Sequence, residues 1–144
     1  MKIDGLIMHQ VFQLTRLISR TLNTRFQPFD LHVSEWGIIV TLTDKGPMTQ
    51  RELARYLNIE PSAVSRSLVG LQRKGYVARE TGEDRRERKV LLTTIARQQY
   101  KVWEGIADRH RQGIMAGLTA ADKETLSGIL TAILQKAQEC PGEG

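Results

Sequence analysis

Apolar residues recur at helical spacing from the start of the chain. Ile3, Leu6, Ile7, Val11, Leu14, Leu17, Ile18 and Leu22 fall on one stripe, which predicts a long amphipathic helix over residues 3–25. Pro28 disfavours helical dihedrals at Gln27 and is expected to end it. Ser34 is the expected N-cap of a second helix, residues 35–43, carrying Trp36, Ile39, Val40 and Leu42. Asp44, Lys45, Gly46 and Pro47 read as a turn. Thr49 and Glu52 then have capping-box spacing and open a short helix with Leu53, Ala54 and Leu57. Pro61 suits the first position of another helix, where its missing N–H costs nothing. This helix should run to about Lys74 and stop at Gly75.

The period then changes. Residues 76–80 and 89–93 are short runs suited to strands, with Val90 and Leu92 on one face, and the charged segment 81–88 joins them as an antiparallel hairpin. A second long helix follows from Thr94 to near Gly117, with Tyr100, Trp103, Ile106, Ala107, His110 and Ile114 at core spacing. Thr119 is the expected cap of a last helix bearing Leu126, Ile129, Leu130, Ile133 and Leu134. Neither an internal repeat nor a low-complexity tract is present. The chain of 144 residues suffices for one domain and is short for two.

Charge sharpens the picture. The net charge is +5. Residues 1–50 hold five basic against four acidic residues, residues 51–100 eleven against six, and residues 101–144 five against six. The excess is therefore concentrated in the middle third, as expected for a region that meets a polyanion. No apolar stretch approaches the roughly 20 residues that span a bilayer. The first residues lack the layout of a signal peptide. Cys140 is the only cysteine, which excludes an internal disulfide, and no His/Cys spacing suggests a metal or cofactor. A cytoplasmic location is the expectation.

Helix, turn, helix and charged hairpin in this order form a winged helix-turn-helix, in which the second helix of the pair enters the major groove. The helix from Pro61 can be sorted by its period. With Val64 at the origin, Leu68 lies at about 40° and Leu71 at about −20°. Ser62, Arg66, Val69 and Arg73 fall opposite, between about 140° and 200°, with Ser65 flanking at about 100°. That outward face offers hydroxyls, two guanidinium groups and one small apolar group, and no carboxylate. These types read base edges and hold phosphates. Arg85, Arg86, Arg88 and Lys89 cluster in the hairpin, where arginine suits a narrow minor groove. Asp84 and Glu87 nearby point to internal pairing as well.

The stretch Gly46 to Ala54, with Pro47, Thr49, Gln50, Glu52 and Leu53, then Pro61 to Leu68, then Leu71 to Val77, and finally Asp84-Arg85-Arg86 through Val90 to Thr93 together resemble the MarR family of bacterial regulators. The strongest match spans residues 46–93; each motif is weak alone, and the ordered set is specific. The resemblance implies a mainly α fold (α+β) in one domain, 1–144. Its winged helix-turn-helix lobe, 46–93, would carry a two-stranded β wing between dimerisation helices at 3–25 and 95–139. It also implies a homodimeric regulator of transcription bound to double-stranded DNA, with Ser62, Ser65 and Arg66 facing the major groove. Asp84 would brace the wing and Arg86 would enter the minor groove. Ala96 departs from the glycine that the family often has near the start of the long helix after the wing.

Val69, Arg73, Thr49, Gln50, Arg85 and Arg88 complete the candidate DNA contacts. Many members of the family release DNA when a small aromatic acid binds, and Trp36 with Arg16 or Arg20 is a candidate pocket for such an effector. Peroxide sensing through a cysteine in the first helix has no counterpart here. The terminal helices carry wider apolar stripes than one small domain covers, which favours a two-fold dimer on a palindromic site, with a monomer as the alternative. Catalysis is not expected, since His9, His32 and His110 are scattered without a nucleophile, base or phosphate loop in order. A winged-helix module for protein contacts remains the rival to a DNA reader.

Overall fold

The computed structural model describes residues 1–80, 88–140 and 142. In chain order it contains α1 (Ile3–Phe26), a 3-10 turn (Gln27–Phe29), α2 (Val33–Lys45), β1 (Met48–Thr49), α3 (Gln50–Leu57), α4 (Pro61–Arg73), β2 (Val77–Arg79), β3 (Lys89–Leu92), α5 (Thr94–Ile114) and α6 (Ala120–Glu139). The predicted elements are present in the predicted order.

Three local expectations are corrected. Pro28 does not break the helical backbone: Gln27 has φ −55° and ψ −43°, and α1 passes directly into the 3-10 turn. Pro28 sits in the first turn of that segment, where it forfeits no hydrogen bond. The chain turns instead at Asp30, in the left-handed region at φ 51°. Secondly, the cap of α2 is His32 rather than Ser34. The Ser34 N–H donates to His32 Nδ1 (3.2 Å), while the His32 N–H donates to Glu35 Oε1 (2.9 Å). Asn23 Oδ1 accepts from the Val33 N–H (2.8 Å), so α2 begins before Ser34. Thirdly, the hairpin belongs to a three-stranded antiparallel sheet of order β1-β3-β2. Met48 pairs with Val90 and Thr49 with Lys89, so β3 is central. A two-residue strand shows no alternation, which is why the hydrophobic pattern did not mark it.

Two compact units make up the chain, Met1–Asp108 and Arg109–Gly144. In the first, Trp103, Phe26, Ile38, Ile39, Leu53, Val64, Leu68, Leu71 and Val90 are fully buried. Trp36 stacks on Tyr100 (5.5 Å between ring centroids) and tilts against Phe26 (5.6 Å), and Tyr76 meets Trp103 edge-on (4.9 Å). In this unit most of α1 stays outside the core: Ile3, Leu6, Ile7, Phe12, Leu14 and Leu17 are exposed. In the second unit, Thr119 and Asp122 form a reciprocal cap on α6, with both bonds at 3.0 Å. Leu126, Ile129, Leu130, Ile133 and Leu134 are exposed along it. Among the described residues no helix is long and apolar enough to cross a membrane.

The Thr49–Glu52 capping box forms as the sequence predicts, with the Glu52 N–H donating to Thr49 Oγ1 (3.1 Å) and the Thr49 N–H to Glu52 Oε1 (3.2 Å). The Thr49 backbone bond, followed by the Thr49 side-chain bond, holds the Glu52 carboxyl below its ordinary 4.5. A depressed folded-state value means a contribution present above that ordinary pH and lost as pH falls through the lower one. Glu52→Gln should therefore weaken the fold slightly at pH 7, and the gap in urea midpoint between variant and wild type should close as the pH is lowered.

Candidate nucleic-acid interface

Helix α4 is set by its inner face. Val64, Leu68 and Leu71 are buried to within 1 % of full coverage, and burial of each such side chain stabilises by about 1.5–3 kcal/mol. That burial fixes which face turns outward. Ser62, Arg66 and Arg73 are exposed, Val69 is 60 % exposed and Ser65 is half-buried. Pro61 occupies the first turn, and Gly75, at φ 80°, takes the left-handed turn that releases the chain into β2. No acidic residue lies in the first turn of α4. Neither Arg66 nor Arg73 has a hydrogen-bond or ion-pair partner among the described residues.

A buried ion pair ties the far end of α4 to α2. Lys74 Nζ donates to Glu35 Oε1 (2.7 Å) and to the Asp30 carbonyl (2.6 Å). The Glu35 side chain is only 7 % exposed, and its other oxygen lies 2.7 Å from where a Cβ on Gly70 would stand. A Cβ at position 70 would thus displace the Glu35 carboxylate from its present place, although α4 is otherwise an ordinary helix. Ser67 Oγ donates to Ser34 Oγ (3.2 Å) beside this pair.

The other candidates divide. Thr49 Oγ1 is occupied by the cap of α3, and Gln50 Oε1 accepts from Arg79 Nη2 (3.3 Å), so both residues brace α3 and β2 in the structure. Arg88 is half-buried. Asp84, Arg85 and Arg86 lie outside the described residues. The three effector candidates are parted. Arg16 and Arg20 line an open groove of about 700 Å³ with Asn23, His32 and Lys74, whereas Trp36 lies in the core between Phe26 and Tyr100 and does not border that groove. Among the described residues no group of His, Cys, Asp and Glu is placed to hold a metal ion.

This helix, turn, helix and sheet can be set beside known proteins. The sequence profile of the MarR family matches residues 29–87. The uncharacterized HTH-type transcriptional regulator YwoH of Bacillus subtilis (strain 168) is 35 % identical over 130 residues, 90 % of this chain and 95 % of YwoH. The chain belongs to the MarR family. Its members are regulators of transcription, not enzymes. Solved MarR structures share the fold. A regulator from Listeria monocytogenes, crystallised with a 26mer DNA, superposes with a TM-score of 0.82 at 16 % identity, over 90 % of this chain and 87 % of that one. The organohalide-sensing regulator RdhR-CbdbA1625 in its 2,4-dichlorophenol-bound form gives 0.84 at 21 % identity, over 94 % and 82 %.

In this MarR-family chain the sequence pattern located the outward face of α4 and missed the Glu35–Lys74 pair. No periodicity connects two residues so far apart along the chain. The available signal was a glycine inside a predicted helix, a feature that marks close packing. By helix propensity alone Gly70→Ala would stabilise α4 by about 0.5–1 kcal/mol. Here it should lower the urea midpoint, because the Glu35 carboxylate must leave its two donors. Lys74→Met, which strands a buried carboxylate, should cost about 3 kcal/mol by the same measurement.

Proposed function

We propose that the protein is a homodimeric, sequence-specific DNA-binding repressor acting on a palindromic operator. The observation that carries this is the outward side of α4, where Ser62, Arg66, Val69 and Arg73 stand exposed opposite the buried Val64, Leu68 and Leu71. A face with no carboxylate and with two guanidinium groups that lack a partner among the described residues suits the major groove, where arginine donates to guanine and a small apolar group meets a thymine methyl. The basic middle third of the sequence, which includes Arg85, Arg86 and Arg88, supplies the phosphate attraction that steers binding. A neighbour of the same fold crystallised with DNA supports the same use.

The exposed apolar residues of α1 and of α6 support pairing with a second copy, since two identical readers match two half-sites about one helical turn apart. The groove holding Arg16, Arg20 and Lys74 is suited to a small anionic or phenolic effector that releases the operator; the 2,4-dichlorophenol-bound neighbour supports a ligand of this class.

Selection of duplexes from a random pool by the purified protein tests the proposal. A palindromic winner, bound with an affinity that falls steeply as salt rises, is the expected result. Binding to no duplex at low ionic strength overturns it and leaves a protein-contact module. Arg66→Ala should cost about 1–3 kcal/mol on the selected duplex and relax preference at one base position. Ile129→Glu combined with Ile133→Glu should convert the sedimenting species from dimer to monomer and weaken operator binding in parallel.

A further inference from the structure

Beside the outward face of α4 lies a groove that shares Arg66 and Arg73 with that face. The start of α2 and the flank of α4 enclose this open groove of about 400 Å³, bordered by His32, Ser34, Arg66, Ser67, Gly70 and Arg73. Glu35 also borders it, but that carboxylate is engaged by Lys74 and by the His32 N–H, so its charge is answered from within the protein. The two arginines are not answered in this way. They are exposed and have no partner among the described residues.

The donors present are those of side chains. At the start of α2 the Val33 N–H is taken by Asn23 and the Ser34 N–H by His32 Nδ1, so these backbone amides are closed to an anion. Because Nδ1 accepts from that amide, the neutral ring carries its proton on Nε2, a donor the cap does not need. Gly70 adds no side chain to the groove, and the Ser34–Ser67 hydroxyl contact joins its two walls. Two guanidinium groups and an imidazole border this groove, and donors of this kind suit a phosphodiester monoanion.

The geometry points to a clamp for a DNA backbone phosphate, made by Arg73 with Arg66 from α4 and His32 from the start of α2. This rests on the DNA-reading function proposed above and assigns α2 as a further contact element, beyond the recognition helix and the wing. Phosphate contacts set register and orientation while base contacts specify. A phosphate held between α2 and α4 fixes the angle at which α4 enters the groove, through the same two helices that Glu35 and Lys74 already join. Arg66 borders both the clamp and the outward face, and Arg73 is the principal phosphate ligand.

The test uses the full-length protein and the duplex selected above, with single methylphosphonate substitutions scanned along each half-site. For the wild type, neutralising one phosphate per half-site should cost roughly tenfold in affinity, and that position should lie beside the bases read by α4. Arg73→Ala should weaken all duplexes by a similar factor, reduce the salt slope by about one, and abolish the extra cost of the methylphosphonate at that position. His32→Asn keeps a side chain favoured as an N-cap and removes the Nε2 donor. It should leave the melting temperature unchanged while partly suppressing the same methylphosphonate effect. If the wild type binds its selected duplex and neither variant alters the methylphosphonate pattern or the salt slope, the clamp is overturned and the DNA reading stands. If the wild type selects no duplex, both fall together.

Discussion

The buried carboxylate of Glu35 is the polar constraint on which the packing of α2 against α4 depends. A charge with so little exposure must be paired and hydrogen-bonded or it becomes a large liability. The Lys74 ammonium, the His32 amide and the absence of a side chain at Gly70 together meet that demand. Each comes from a different place: the cap of α2, the interior of α4 and the residue after its end. Lys74 also reaches the carbonyl of Asp30, in the turn between the 3-10 segment and α2. Satisfying one carboxylate therefore joins the start of α2 to the end of α4.

Hydrophobic burial then decides the rotation of α4. Val64, Leu68 and Leu71 enter the core with Leu53 and Ile39, and the energy of three buried side chains far exceeds anything the polar face loses by pointing at solvent. The carboxylate of Glu35, which borders the flank of α4, is paired internally by Lys74. Arg66 and Arg73 are left with their charge available to a polyanion.

The apolar stripes of α1 and α6 pose a separate constraint. Leucines and isoleucines at helical spacing that remain exposed disfavour an isolated chain, since apolar area left in water costs about 25 cal/mol per Å². The proposed pairing with a second copy would remove that cost and would supply the two-fold symmetry that a palindromic operator needs.

Much of this protein is written in its local sequence. The 3.6-residue recurrence of Val64, Leu68 and Leu71 marked both the existence of α4 and its outward residues, because a helix has only one way to bury such a stripe. Thr49 with Glu52, and Thr119 by itself, marked helix starts for a related reason: a cap is a contact between residues close in sequence. What depended on partners distant in the chain was not legible. Pro28 carries opposite local implications, and packing of Phe26 into the core, with the turn at Asp30, selected the helical one. His32 displaced Ser34 as the cap of α2 because Glu35 and Asn23 were both within reach. Met48 and Thr49 became a strand only because β3 lay alongside. Trp36, an aromatic on a helix, went to the core rather than to the arginines of α1. Short-range periodicity and capping are properties of a segment, whereas a buried ion pair, a two-residue strand and a groove exist only once segments far apart in sequence have met.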